Sequence, residues 1–150
     1  MDYGDVFERL EAAGVRYVVV GGRAVALHGH ARPTRDLDIV VAHAPHEARR
    51  ATAALLSLGF VPALPLPLEM LTVQRFTDRA RREVDVFARF RLPFEELWSA
   101  SERLTDAGRT VRVCSLEHLI RMKRLDGRPH DVLDVEALLA LPRAAPGGEK

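Results

Sequence analysis

The chain has 150 residues, of which 47% are hydrophobic and 29% charged, with a formal net charge of +1. This composition is typical of a single globular domain, and the net charge gives no indication of a protein that coats nucleic acid. The sequence has no apolar run of the roughly 20 residues that a membrane helix needs. The acidic, amphipathic N-terminus does not resemble a signal peptide, and a lone cysteine, Cys114, excludes an intrachain disulfide; we therefore expect a cytoplasmic protein with no membrane association.

The N-terminal part alternates between helix and strand. Its apolar spacing predicts a helix at 2–13, a buried central strand at 15–20, a short helix at 23–30 and a second strand at 36–42. Gly21 and Gly22 stand between the first strand and the short helix, where they end the strand.

The remainder of the chain continues the pattern and ends in helices. It predicts a helix at 45–59, a loop at 60–68 whose prolines exclude a regular element, strands at 69–77 and 82–90, a short helix at 93–102, a hairpin at 104–115, helices at 115–127 and 129–141, and a flexible tail at 142–150. The fold class is thus α/β (α+β): a mixed β-sheet flanked by helices. We expect one domain over 1–141, with its core at about 1–90 and a C-terminal helical part at about 115–141.

Two aspartates interrupt the apolar strand DLDIVVA. Residues two apart in a strand project from the same face, so Asp36 and Asp38 bring like charges together, which a cation between them would relieve. An Asp-x-Asp pair is common by chance, and a solvated or turn-capping pair at a strand end is the alternative.

Two further features of the sequence favour a functional role for the aspartate pair. Gly21 and Gly22 leave backbone N–H groups free at a strand-to-helix turn, which suits a phosphate, although a tight turn without ligand is the alternative. Asp85 lies between valines in a later strand, either as a satisfied polar residue or as the third carboxylate of a two-metal site. Mg²⁺ prefers such oxygen ligands.

The order of these residues carries a resemblance to a known family. A hydrophobic strand, the Gly21-Gly22 turn, Asp36-Leu37-Asp38 and a later Asp85 resemble the nucleotidyltransferase superfamily of the DNA polymerase β type. The segment VGGRAVALHGHARPTRDLDIVV is most similar to the small bacterial branch with AbiEii-type toxins, as is the tail SLEHLIRMKRLDGRPHDVLDVEALL. The resemblance spans residues 15–42 and 82–140. It departs from the pattern at Gly22, which replaces a serine, and at His130, which stands where related tails have lysine.

The resemblance implies a nucleotidyltransferase (EC 2.7.7-type) that transfers a nucleoside monophosphate from an NTP to an acceptor hydroxyl and releases pyrophosphate. The implied metal ligands and catalytic residues are Asp36, Asp38 and Asp85, with two Mg²⁺ ions, or Mn²⁺ in their place. The implied nucleotide-binding residues are Gly21, Gly22, Arg35 and Lys123, the last being the only lysine before the C-terminal residue.

Several alternatives stay open at this point. The acceptor is an RNA 3′ end, a protein hydroxyl or a small molecule. The protein is a toxin–antitoxin component with an antitoxin or other protein partner, or a non-catalytic nucleotide-binding or partner-binding module of the same fold. Arg32 is a second candidate for contact with the triphosphate, and Asp131 and Asp134 are expected to cap a helix or to pair with Arg128.

Overall fold

The computed structural model describes residues 1–142, so the predicted tail lies outside the described residues except for Pro142. The elements in chain order are α1 (Gly4–Ala12), β1 (Val18–Val20), α2 (Gly21–Leu27), β2 (Leu37–Val40), α3 (Pro45–Ser57), β3 (Val61–Pro62), a 3₁₀ turn (Leu68–Met70), β4 (Val73–Thr77), β5 (Glu83–Phe87), α4 (Phe94–Ala100), β6 (Glu102–Asp106), β7 (Arg109–Val113), α5 (Leu116–Asp126) and α6 (Pro129–Leu139).

The strands form one mixed seven-stranded sheet in the order β3-β4-β5-β2-β1-β7-β6. β2 runs parallel to β5 and antiparallel to β1, while β1 runs parallel to β7. The two predicted hairpins are present as the antiparallel pairs β4–β5 and β6–β7. The predicted fold class, a mixed sheet flanked by helices, is confirmed.

Burial follows the alternation of the strands. All three residues of β1 are buried, as the unbroken valine run predicts for a strand covered on both faces. In β2, Leu37 and Ile39 are fully buried on one face while Asp38 projects from the other. The helix α2 contacts both strands and also α5. Because Asp38 is a charged residue in an otherwise apolar strand, the face of the sheet that carries it is the candidate site of function.

The proline-rich segment departs from prediction, because Val61 and Pro62 pair with β4 as a short strand. Proline is tolerated there because β3 is the edge strand, whose outer side needs no N–H donor. Beyond Pro62 the buried side chain of Gln74 takes over the pairing: its amide accepts from the Leu64 N–H and donates to the Leu64 carbonyl, both at 2.9 Å. The predicted strand at 69–77 is wrong at its start, since Leu68–Met70 form a 3₁₀ turn.

The C-terminal helices begin where the sequence predicts, and α6 ends at Leu139, before its predicted end at residue 141. The Ser115 hydroxyl accepts from the His118 N–H at the start of α5, and Gly127 adopts a left-handed conformation after its end. Pro129 opens α6. Within the described part of the chain, every helix is too short or too polar to cross a lipid bilayer.

Candidate active site

The Gly21–Gly22 turn lies directly against the Asp38 carboxylate. β1 passes into α2 without a loop, and Gly21 makes that change of direction with a φ of 72°. A Cβ atom at Gly21 would overlap the Asp38 carboxylate oxygen and lie 3.1 Å from its Cγ. Only glycine therefore satisfies both the backbone angle and the close approach of the carboxylate.

Gly21→Ala is expected to cost about 3 kcal/mol of unfolding free energy, because it combines a left-handed backbone with an overlap. Gly108→Ala is the matched control: Gly108 has a φ of 83° but nothing within 4 Å of a Cβ. Urea denaturation of both variants isolates the contribution of Asp38. Equal losses in the two variants would show that the carboxylate makes no close contact with the turn.

Asp38 has two other aspartates near it, of which Asp85 lines the same cleft as the turn and Asp36 does not. Asp38 and Asp85 are register partners on the parallel strands β2 and β5, so their side chains leave the same face of the sheet. Asp36 precedes β2 by one residue. Burial first, and then the charges of Asp85 and Asp36, raise the pKa of Asp38 to about 6 against the opposing effect of nearby cations. The site thus concentrates negative charge.

Arg75 is the cation that lies closest to this charge. It is the register partner of Asp85 on the antiparallel strand β4. Its Nε and Nη2 atoms donate to the two oxygens of Asp85 at 2.8 and 3.0 Å, and its guanidinium lies 3.8 Å from Asp36 and 3.4 Å from Glu83. The hydrogen bonds to Asp85 raise the pKa of Arg75 above its ordinary value. Arg75 therefore joins Asp85 and Asp36 through one guanidinium group.

A cleft of about 350 Å³ opens from these residues toward α5. The Gly21–Gly22 turn, Asp38 and Asp85 line it together with apolar side chains, which are Val20, Phe87, Phe90, Leu119 and Met122. The other lining residues are charged or titratable: Arg32, Arg91, Lys123, Asp126, Arg128 and His130. The rings of Phe87 and Phe90 pack edge to face with centroids 5.2 Å apart. A cleft whose lining combines charged groups with two aromatic rings suits a ligand that has a charged and a planar part.

The structure brings Arg32, rather than Arg35, to this cleft. An Nη atom of Arg32 lies 3.0 Å from the position of a Cβ at Gly22, so its guanidinium covers the turn. Arg35 is exposed and does not line the cleft, and its backbone carbonyl accepts a hydrogen bond from Tyr3 at 2.6 Å. The predicted nucleotide contact by the Arg35 side chain therefore has no support in the geometry of the described residues.

Comparison with known proteins gives matches only among solved structures, since no family model and no curated protein matches the chain. The lincomycin-bound lincosamide antibiotic adenylyltransferase LnuA superposes with a TM-score of 0.71 at 15% identity, over 95% of this chain and 99% of that one. ANT(2'')-Ia in complex with adenylyl-2''-tobramycin gives 0.64 at 17% identity, over 89% and 83%. An antigenic nucleotidyltransferase-like protein from Paracoccidioides brasiliensis gives 0.63 at 21% identity, over 92% and 74%. The chain has the nucleotidyltransferase fold.

The predicted metal ligands are Asp36, Asp38 and Asp85, and the last of these is paired with Arg75. Carboxylate oxygens are the ligands that Mg²⁺ and Mn²⁺ prefer. Yet among residues 1–142 no three His, Cys, Asp or Glu side chains stand ready to hold a metal ion. The hydrogen bonds of Asp85 are directed to Arg75. Asp36, Asp38 and Asp85 therefore have the oxygen atoms that a divalent cation prefers but not the arrangement of a metal site, and their metal-binding role stays a prediction.

Lys123 lines the cleft, but its ammonium group is occupied by two aspartates. Its side chain is only 8% exposed, and its Nζ lies 3.2 Å from Asp131 and 3.1 Å from Asp134. Although burial opposes this, hydrogen bonds from Arg128 and Lys123 hold the pKa of Asp131 at about 2. Asp131 also caps α6 as predicted, whereas Asp134 contacts Lys123 and Arg32 rather than Arg128.

Sequence reasoning missed Arg75 and the apolar side chains that line the cleft. A signal for Arg75 existed, because it stands in VQRFT between two residues that are buried, Gln74 and Phe76, and so had to face the side opposite to theirs. Assigning it to Asp85 required the register of the β4–β5 hairpin. No local signal indicated that Phe90, which follows β5, lines the cleft.

Proposed function

We propose that this protein is a metal-dependent nucleotidyltransferase that transfers a nucleoside monophosphate from an NTP to an acceptor hydroxyl. The observation that carries the proposal is the juxtaposition of Asp38 and Asp85 as register partners, with Asp36 beside them, against the Gly21–Gly22 turn. A crowded carboxylate cluster next to backbone N–H groups serves both metal and phosphate, and here it lies in a fold that antibiotic adenylyltransferases share.

Each residue then has a role that its position supports. Asp36 and Asp38 would hold the metal that accompanies the triphosphate, and Asp85 would complete the ligand set on the acceptor side. The metal, when bound, neutralises phosphate charge in the transition state. The Arg32 guanidinium, which lies over Gly22, would pair with phosphate oxygens at the turn. Asp85 also accepts the proton of the acceptor hydroxyl, and the displaced pyrophosphate leaves toward solvent.

For the acceptor we propose a small hydroxyl-bearing molecule. LnuA, whose structure contains lincomycin, is covered over 99% of its length, so the two folds are of nearly equal extent. The second neighbour contains adenylylated tobramycin. A net charge of +1 gives no reason to prefer an RNA acceptor. The more specific assignment to an AbiEii-type toxin–antitoxin system, and the alternative of a non-catalytic module, rest on the sequence resemblance alone.

The test is transfer of label from each of the four α-labelled NTPs, with Mg²⁺ or Mn²⁺, to lincosamides, aminoglycosides, total RNA and cell protein in separate reactions. We expect one NTP to label a small molecule, with stoichiometric release of pyrophosphate. Labelled RNA or protein would overturn the acceptor class and leave the reaction class standing. No transfer, together with no calorimetric binding of any metal–NTP complex, would overturn the reaction class itself.

Asp85→Asn separates transfer from nucleotide binding. The variant keeps the side-chain volume but loses the charge and the capacity to accept a proton, so transfer should fall at least about a hundredfold. Affinity for the metal–NTP complex should stay within about threefold of wild type, because Asp36 and Asp38 remain. Calorimetric NTP titration beside the labelling assay measures both quantities. If affinity falls as far as turnover does, Asp85 is primarily a binding ligand.

A further inference from the structure

The strongest contact to a candidate metal ligand comes from within the protein. The Arg75 guanidinium binds both oxygens of Asp85, and two-point pairs of this kind are stronger and more directional than single hydrogen bonds. Asp36 and Glu83 lie within 4 Å of the same group, at 3.8 and 3.4 Å. Arg75 therefore supplies positive charge to the acidic cluster where a metal ion would otherwise supply it.

The two partners differ in their freedom to move. The Asp85 side chain is only 17% exposed, whereas that of Arg75 is 46% exposed. The backbone at Arg75 is fixed, because the neighbouring side chains of Gln74 and Phe76 are buried. The long, flexible Arg75 side chain can therefore turn toward solvent while its strand and Asp85 stay in place.

We propose that Arg75 is an internal counter-cation that pairs with Asp85 and orients it in the metal-free protein, and that it releases Asp85 when a metal–nucleotide complex binds. Arg75 is thus a positioning residue that acts through Asp85. The inference rests on the proposed function to the extent that it takes Asp85 as a metal ligand. Its consequence is a competition: the metal gains Asp85 only when the guanidinium leaves.

A purely structural cross-strand pair would explain the same distances, and the two possibilities make different predictions. Removing a structural pair lowers stability and loosens the position of Asp85, which weakens metal binding. Removing a competitor also lowers the stability of the metal-free protein, because it leaves Asp85 beside other carboxylates without a partner, yet it strengthens metal binding. The two effects of one substitution, on melting and on metal affinity, thus point in opposite directions only if Arg75 competes.

The test compares wild type, Arg75→Met, Arg75→Lys and Arg79→Met by calorimetric Mn²⁺ titration and by thermal melting in EDTA. Arg79 is exposed and makes no ion pair with the described residues, so it controls for loss of one nearby positive charge. For Arg75→Met we expect Mn²⁺ to bind at least about tenfold tighter, with a Tm in EDTA about 3–6 °C lower. Arg75→Lys, which keeps the charge but not the two-point geometry, should lie between Arg75→Met and wild type.

A double-variant cycle assigns the effect to Asp85. In an Asp85→Asn background, Arg75→Met should change Mn²⁺ affinity by less than about twofold. Unchanged or weaker Mn²⁺ binding by Arg75→Met alone would overturn the proposal and leave a structural ion pair. This failure differs from failure of the proposed function, in which wild type and every variant would bind no Mn²⁺ with or without NTP.

Discussion

Asp38→Asn is expected to reduce nucleotide transfer at least about a thousandfold while stabilising the metal-free protein above pH 6. The first effect follows because a metal ligand contributes several kcal/mol to the transition state of such a reaction, and each 1.36 kcal/mol is about tenfold in rate. The second follows because the folded state holds the Asp38 carboxylate in a buried position beside Asp85 and Asp36, which raises its pKa to about 6 from 3.8.

The raised pKa of Asp38 makes the free energy of unfolding depend on pH. Below about pH 4 the Asp38 carboxyl is protonated in both the folded and the unfolded chain, so it causes no loss of stability. Between about pH 4 and 6 the unfolded chain releases the proton first, and stability falls as pH rises; above pH 6 the loss is complete. The gain from Asp38→Asn should therefore be absent at pH 4 and about 1–3 kcal/mol at pH 8.

Urea denaturation in EDTA across this pH range measures the gain, and Glu136→Gln is the control. Glu136 is exposed on α6 and has no ion pair within the described residues, so its substitution should leave the pH profile unchanged. A loss of stability for Asp38→Asn at pH 8 would mean that the carboxylate serves the fold. A gain that does not depend on pH would mean that ionisation of Asp38 is not its source.

The positions of the three aspartates could be predicted only in part from the sequence. The period of two in a strand places Asp36 and Asp38 on one face, and the buried positions of Leu37 and Ile39 confirm that face. The pairing of Asp85 with Asp38 could not be predicted in this way, because it depends on the order of the strands in the sheet. β2 and β5 are parallel neighbours separated by a helix and two further strands, and no local pattern specifies such pairing.

The contacts of the basic side chains in the site could not be predicted from the sequence either, because they also depend on how distant elements pack together. Arg32 and Arg35 are equally plausible in the sequence, because the turn that contains them has no period from which a direction can be read. The structure turns Arg32 over Gly22, where Asp134 on α6 lies 3.4 Å from its guanidinium. A contact between a turn and a helix about 100 residues later depends on packing. The scarcity of lysine did single out Lys123, although it gave no indication of the acidic partners.

Lys123→Met is expected to destabilise the protein by about 3–5 kcal/mol, the usual effect of leaving buried charge without a partner. Asp134 is the residue at risk, since Asp131 keeps Arg128 at 2.6 Å while Asp134, 5% exposed, keeps only Arg32 at 3.4 Å. Tm should fall by roughly 6–20 °C for a chain of this size. Arg124→Met, an exposed neighbour on α5, is the control and should change Tm by less than about 2 °C.

The double variant Lys123→Met, Asp134→Asn separates the two roles open to Lys123. Neutralising Asp134 together with Lys123 removes the unpaired charge, so at least half of the lost stability should return. In that restored background, NTP affinity decides. If the ammonium contacts the triphosphate, as the sequence predicts, affinity stays at least about tenfold below wild type. If Lys123 serves only to hold α6 and Arg32 beside the turn, affinity recovers with stability, and the nucleotide-binding role passes to Arg32. Lys123→Arg, which places a larger, planar cation in the same buried space, should impair transfer in either case.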